Sequence, residues 1–446
     1  MRALAALLVV TTVPVSLAAQ PVEPVQPVQD DPTFGPLIEI ERIDVVGAST
    51  NVEIIRREIL VKPGDRLRSG DPRFNRSRFR VLALGYFTDV KLRQDKGSQP
   101  GAVVLVVEVV ERGTFTLNRI FLGTSDDTPI WAGLDVGDTN VFGSGLGVAV
   151  GGVWAQKSSD VPGSRTQGAL RLRVADERVL GSDFGVHATA LYTVASEPLV
   201  AAGGARSVLN YKRAGGTFGT TWDFAPLMRV GADVRLESAT APDDAATADL
   251  RLRPGQSLVS TVTVGFERDT RPDPILPYRG SRFAFALESG FGDYEFAKAV
   301  LSFGAWRLLT ERHVLGFRLG AGIILGRSPR FDQFYVGDVN PLQPPRPLDL
   351  AVSTRGSFDV FSTGADKVVT GDVYGGVSIE YAFQLFRNPR TIYGGDLFVS
   401  VGTYGLGSRV PFSAPVDLTF NVGLRLDTFI GVFELSLGNA LGRLPL

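Results

Sequence analysis

The sequence predicts an all-β transmembrane β-barrel of about 16 antiparallel strands, preceded by one small α+β domain. Three observations carry this prediction. The N-terminus reads as a secretory leader. One short stretch mixes helical and strand periodicity. Roughly 330 residues of repeated period-two alternation follow.

The leader is "MRALAALLVVTTVPVSLAAQ". Arg2 is basic, Ala3 to Val15 form an apolar run, and Ser16, Ala18 and Ala19 are small. This pattern reads as a signal peptide over residues 1–19, with cleavage near residues 18 to 20. Residues 20–36, "QPVEPVQPVQDDPTFGP", read as an extended Pro-rich linker. Beyond the leader no run of about 18 apolar residues occurs, so a membrane role requires a barrel rather than a helix.

Residues 37–112 read as the α+β domain. "IEIERIDVVG" is a strand ending at Gly47. "NVEIIRREILV" sets Val52, Ile55 and Ile59 on one helical face, and "KPGD" breaks that helix. "RFNRSRFRVLALGYF" sets Phe74, Ser77, Val81 and Leu84 on a second helical face, closed by Gly85. "TDVKLRQD" and "AVVLVVEVVE" are two further strands.

Residues 114–446 read as the barrel. In "DLTFNVGLRLD", Leu418, Phe420, Val422, Leu424 and Leu426 oppose Asp417, Thr419, Asn421, Arg425 and Asp427. "RVGADVRLE", "SRFAFALES" and "ALRLRVA" repeat the pattern, with Asp233, Arg235, Glu237, Arg282, Glu288, Arg171 and Arg173 on the polar side. About fifteen such segments start near residues 115, 129, 145, 166, 184, 206, 228, 257, 281, 295, 313, 372, 394, 416 and 431, with a weak extra one near 216. A soluble sandwich rarely sets charges at the centre of so many strands. A membrane barrel does, with lipid outside and a wet or charge-paired lumen inside. Even strand numbers leave closure either to the segment near 216 or to an unusual last strand, because the chain ends in "ALGRLPL".

Composition narrows the function. Net charge is −1, so no electrostatic case exists for nucleic acid. Cys is absent, and His187 and His313 lie far apart, which disfavours thiol chemistry, a His-based metal cage or a triad. Asp269, Arg271 and Asp273 could suggest a calcium site, but Pro272 and Pro274 mark a turn more simply. No catalytic motif stands in a supporting context, so no enzyme, cofactor, nucleotide or metal is implied. Lumen charges such as Arg171, Asp233, Arg235 and Glu237 read as a self-satisfying network or as a polar conduit.

The order of these segments resembles one family. Residues 37–112, with Gly85-Tyr86-Phe87 and the strands after it, are similar to a POTRA domain. "GLDVGDTNVFGSGLGV", "FERDTRPDPILPYRGSRFAFALE" and "VGLRLDTFIGVFELSLG" resemble barrel segments of the outer-membrane assembly-factor superfamily, the BamA/TamA-like surface antigens that also include two-partner secretion transporters. The resemblance implies a bacterial outer-membrane barrel with the N-terminal domain in the periplasm. Its expected partners are outer-membrane lipid, unfolded or extended polypeptide clients, and periplasmic proteins at the POTRA domain.

Members usually carry two to five POTRA modules, whereas this sequence has room for one. The family's long loop after the eleventh strand carries a Val-Arg-Gly-aromatic motif that folds into the lumen. Here "FYVGD" resembles its lead-in, but Arg-Gly is absent in register. Arg355, Gly356 and Arg346 are the lid-loop candidates, and Glu380 matches the family's acidic wall position as their lumen partner. Ser400 stands where the family often has Asp. The resemblance implies a factor that inserts or exports polypeptides. A passive outer-membrane channel and an accessory structural barrel are the alternatives.

Overall fold

The computed structural model describes residues 35–84, 86–111, 113–123, 128–158, 161–179, 182–200, 206–225, 227–243, 251–271, 276–335, 346–352, 370–387, 392–414, 416–428 and 431–443. The leader and most of the linker lie outside these residues. The chain divides into two compact units. The first comprises the described residues up to Ala48 together with Ile55–Glu111, and the second comprises Ser49–Ile54 and the chain from Arg112 onward.

The elements up to Glu111 are β1 (Leu37–Val46), α1 (Val52–Arg57, whose residues up to Ile54 group with the second unit), β2 (Arg66–Arg68), α2 (Pro72–Ala83), β3 (Phe87–Lys96) and β4 (Ala102–Glu111). The sheet order is β2-β1-β4-β3, with β1 parallel to β4. α2 starts where the chain dictates. Asp71 caps it by accepting from Arg73 N at 2.9 Å, and Pro72 fills the first helical position. Phe74, Ser77 and Val81 are buried, as their spacing predicts, and so are Ile55, Ile59, Ile40, Leu105 and Val107 of the same unit. Ser77 Oγ accepts from Leu60 N at 2.9 Å, and Arg80 holds the buried Glu58 at 2.9 Å.

The second unit is one antiparallel sheet of fifteen strands among the described residues. They are β5 (Phe115–Gly123), β6 (Trp131–Asp138), β7 (Gly147–Ala155), β8 (Gln167–Asp176), β9 (Phe184–Val200), β10 (Arg206–Ala225), β11 (Met228–Ala241), β12 (Gly255–Asp269), β13 (Gly280–Gly292), β14 (Phe296–Thr310) and β15 (His313–Gly326), then β18 (Val373–Arg387), β19 (Ile392–Gly407), β20 (Val416–Thr428) and β21 (Gly431–Arg443). Each begins within two residues of an alternating segment in the sequence. Between β15 and β18, two short strands, β16 (Phe334–Tyr335) and β17 (Thr370–Gly371), pair with each other. The sheet curls until β21 lies beside β5.

The described residues thus give fifteen strands, against the expected count of about 16. The segment near 216 is not a strand of its own: Gly215 and Gly216 interrupt the alternation inside the continuous β10. A side chain at Gly215 would meet the Leu236 carbonyl, so the pattern breaks where two backbones come close.

The faces separate as a membrane barrel requires. Val234, Leu236, Val264, Phe283, Phe285, Leu287, Ile379, Val399 and Val422 are exposed on the outside. Glu237, Arg213, Glu380, Asp417, Thr419 and Asn421 are buried on the inside. A chain of ring contacts runs over the outer ends of neighbouring strands, through Phe184, Trp222, Phe224, Phe266 and Phe283, with centroids 5.6 to 6.4 Å apart. Such a belt suits a membrane–water interface.

Candidate functional site: a lumen filled by its own loop

The lumen takes its chemistry from the inward residues of the wall and from the segments that enter it after β15. Arg330 and Asp332 stand on a short turn whose Phe331 points into the wall. Arg235 on β11 donates to Asp332 Oδ1 at 2.8 Å and to Oδ2 at 2.6 Å, and holds Glu288 on β13 at 2.9 Å. Lys298 on β14 donates to the Asp332 carbonyl at 2.9 Å. Arg330 donates to Glu197 on β9 at 2.8 Å. Between these pairs Phe331 packs in a tilted contact against Tyr211, ring centroids 5.8 Å apart, with its ring centre 4.0 Å from the guanidinium of Arg213. Arg213 is itself buried and gripped by Glu237 at 2.7 and 3.0 Å.

A second foothold is apolar. In Pro347–Val352 the side chains of Leu348, Leu350, Ala351 and Val352 are buried. Leu348 and Asp349 both adopt left-handed backbone conformations, at φ 46° and 66°. Non-glycine residues visit that region at a cost of order 1 to 2 kcal/mol each, so the burial around them must hold them there. Gly151 on β7 makes room: a Cβ there would stand 3.3 Å from Leu348 Cδ1 and from Asp135 Cγ. A cavity of about 180 Å³ remains beside this foothold, lined by Arg171, Thr217, Arg235, Glu237, Leu348 and Asp349. The returning chain is tied by Asp372, which accepts from Arg251 at 2.7 Å and from Gln333 at 3.1 Å.

Three loop residues, Arg355, Gly356 and Arg346, are expected to form the lid, with Glu380 as their wall partner. Arg355 and Gly356 lie outside the described residues. Arg346 donates to the Phe331 carbonyl at 2.6 Å and packs over Tyr335. Glu380 is buried, as a lumen acid should be, but wall arginines hold it. Arg425 on β20 donates to both its oxygens, at 2.8 and 2.7 Å, and Arg318 on β15 approaches at 3.2 Å. Ser400 faces both Glu380 and Asn421 in register.

Two loop residues that form close ion pairs with the wall, Arg330 and Asp332, sit in "SPRFDQFY". The signal available there was two opposite charges flanking a phenylalanine. One pair keeps the expected sense, loop base to wall acid. The other inverts it.

Several other lumen charges pair as a network would. Arg171 bonds Asp135, His187 meets Asp233 at 2.8 Å across Gly219, and Arg235 lies 3.9 Å from Glu237. Asp269 is engaged by Arg271 at 2.6 and 2.9 Å. Hydrogen-bonded ion pairs of this kind fix position, and they leave a costly charge when one member is removed.

Residues 148–443 match the Omp85 superfamily domain, and residues 38–112 match the surface antigen variable number repeat of the POTRA family. Among curated proteins, the outer membrane protein assembly factor BamA of Nitratidesulfovibrio vulgaris is 30% identical over 147 residues, 31% of this chain and 18% of that protein. The match thus spans less than a fifth of that relative's length. Among solved structures, Haemophilus ducreyi BamA lacking POTRA domains 1–3 superposes with a TM-score of 0.60 at 12% identity, covering 91% of this chain and 82% of that one. CdiB from Escherichia coli gives 0.61 at 14% identity, covering 91% and 73%. These likenesses show the fold, and the domain match takes in well over half of the chain. The chain belongs to the Omp85 superfamily, with a single POTRA module ahead of its barrel.

Proposed function

We propose that this chain is an outer-membrane factor that inserts or translocates polypeptides, and that its periplasmic POTRA unit gathers extended clients. The observation that carries this reading is the edge of the POTRA sheet. β3 is a ten-residue strand paired on one side only, with β4, among the described residues. An extended polypeptide can add to such an edge through main-chain hydrogen bonds, largely without regard to its sequence. A second edge supports it. β5 and β21 lie side by side with no hydrogen-bond ladder between them among the described residues, and unpaired strand edges are templates for pairing. Insertion would then be driven by the client folding into the bilayer. The ties of the loop residues Arg330, Asp332 and Leu348 to the inner wall weigh against a passive channel.

The test is a deletion of residues 39 to 112. The barrel is expected to be made without them, because each unit has its own core. Outer-membrane composition in a strain lacking the native protein is expected to fail. Full restoration by the deleted form would overturn the assembly reading and raise the channel reading. Photo-crosslinkers along β3 should capture extended clients in the wild-type background.

A further inference from the structure

We propose that the helical face of the POTRA unit docks on an anionic phospholipid surface. This goes beyond the client-binding reading and rests only on the barrel standing in a bilayer. Residues 52 to 84 carry nine Lys and Arg against four Asp and Glu. The acids are largely spent locally. Glu58 is buried against Arg80, and Arg73 engages both Asp71 and Asp65. Arg57, Lys62 and Arg76 are exposed and form no ion pair among the described residues.

These cations share one surface. The chain from Glu58 to Asp65 runs along α2, with Glu58 beside Arg80, Leu60 beside Ser77 and Asp65 beside Arg73. Lys62 therefore falls alongside the turn that carries Arg76. Within that basic strip two apolar side chains stand out of the fold: Phe79 is 62% exposed and Leu60 37%. Uncompensated cations around an exposed aromatic match a headgroup layer, which offers diffuse negative charge above an apolar interior. An acidic polypeptide would use the cations but would leave Phe79 wet. The α2 side chain that bonds β3 is Arg78, which donates to the Val90 carbonyl at 2.6 Å and is not one of these three cations.

The chain has no cysteine, so Asn75→Cys, on the exposed side of α2, gives a unique label site. Full-length protein would carry an environment-sensitive fluorophore there, in nanodiscs of phosphatidylcholine alone or mixed with phosphatidylglycerol. We expect a blue shift and quenching by lipid-borne spin labels in the mixed discs only. Both should be reversed by salt, because headgroup attraction is screened. They should be lost in Arg57→Glu/Lys62→Glu/Arg76→Glu and weakened in Phe79→Ala. A label at Arg93→Cys on β3 should stay unquenched. Equal signals at residue 75 in both lipids would overturn the proposal, as would equal quenching at residue 93. So would protection by polyglutamate in neutral discs with no response to anionic lipid, which would make the strip a polypeptide site. Because salt reversal is read on the unreversed chain, a misfolded triple variant does not remove the test. Client crosslinking at β3 that survives charge reversal would separate a failure here from a failure of the assembly reading.

Discussion

Asp332 on the entering loop lies between the two terminal nitrogens of Arg235 on the wall, so the loop supplies the anion and the barrel the cation. Both side chains are largely buried, at 15% and 8% exposure. Removing one partner of such a pair leaves a desolvated charge. Asp332→Ala is therefore expected to destabilise the folded barrel by about 3 kcal/mol, toward the low end for buried pairs because Glu288 still faces Arg235. The double variant with Arg235→Ala should cost less than the sum of the two. Urea midpoints in detergent measure both. Single-channel recording should show higher conductance once the loop is released.

The outer face should refuse charge. Phe285→Arg is expected to cost about 2 to 4 kcal/mol at mid-membrane. Arg282→Ala removes a half-exposed pair with Glu267 and should cost less than about 1 kcal/mol. Single cysteines in this cysteine-free chain provide a second reading. A probe at Phe285 or Leu424 should resist a water-soluble reagent in intact membranes more than one at Arg282.

Glu380 should behave as a hub for wall arginines. Glu380→Ala strands Arg425, which is only 11% exposed, and is expected to cost about 3 kcal/mol, with Glu380→Gln milder. A double-mutant cycle between Glu380 and Arg425 should show strong coupling. The same cycle with Arg355 checks whether that loop arginine joins the hub: coupling near zero would make it an ordinary loop residue, and the cycle with Arg346 follows.

A pH test falls in the POTRA unit. The hydrogen bond from the Arg73 side chain holds the Asp71 carboxyl below its ordinary range. A depressed carboxylate contributes stability above its unfolded pKa of about 3.9, and that contribution is lost as pH falls through the lower folded value. Asp71→Ala should thus loosen α2 by about 1 kcal/mol at neutral pH. The difference should shrink on acidification below that range. Hydrogen exchange of the α2 amides, corrected for intrinsic rate, follows both.

Much of this fold is legible along the chain because lipid and lumen impose opposite demands on successive residues. The starts of β5, β9, β11, β15 and β20 coincide with the onset of alternation for that reason. β10 was harder to read, since Gly215-Gly216 satisfies a close backbone approach that has no sequence period. The α2 face was legible through Phe74, Ser77 and Val81. The lumen pairs were not. Asp332 finds Arg235 across 97 positions of sequence, and Arg330 finds Glu197 across 133. A charge chooses its partner by proximity in space, and composition carries no record of which wall residue the loop will meet. Glu380 illustrates the same limit: its burial was foreseeable from its inward place on the strand, but its nearest cations come from β20 and β15.

The short ladder between β16 and β17 sets Phe334 opposite Gly371 and Tyr335 opposite Thr370, with Phe334 and Tyr335 buried at its base. It works as a drawstring. The ladder is fastened from outside by Arg330, Asp332 and Asp372, while Arg346 and the buried Leu348, Leu350 and Val352 hold the described part of the chain between its two strands. Lengthening a closed loop adds only about 0.6 kcal/mol for each doubling. Epitopes or sensor peptides spliced between residues 353 and 369, beyond the foothold at Leu348–Val352, should therefore leave the ties at Arg330, Asp332 and Asp372 in place.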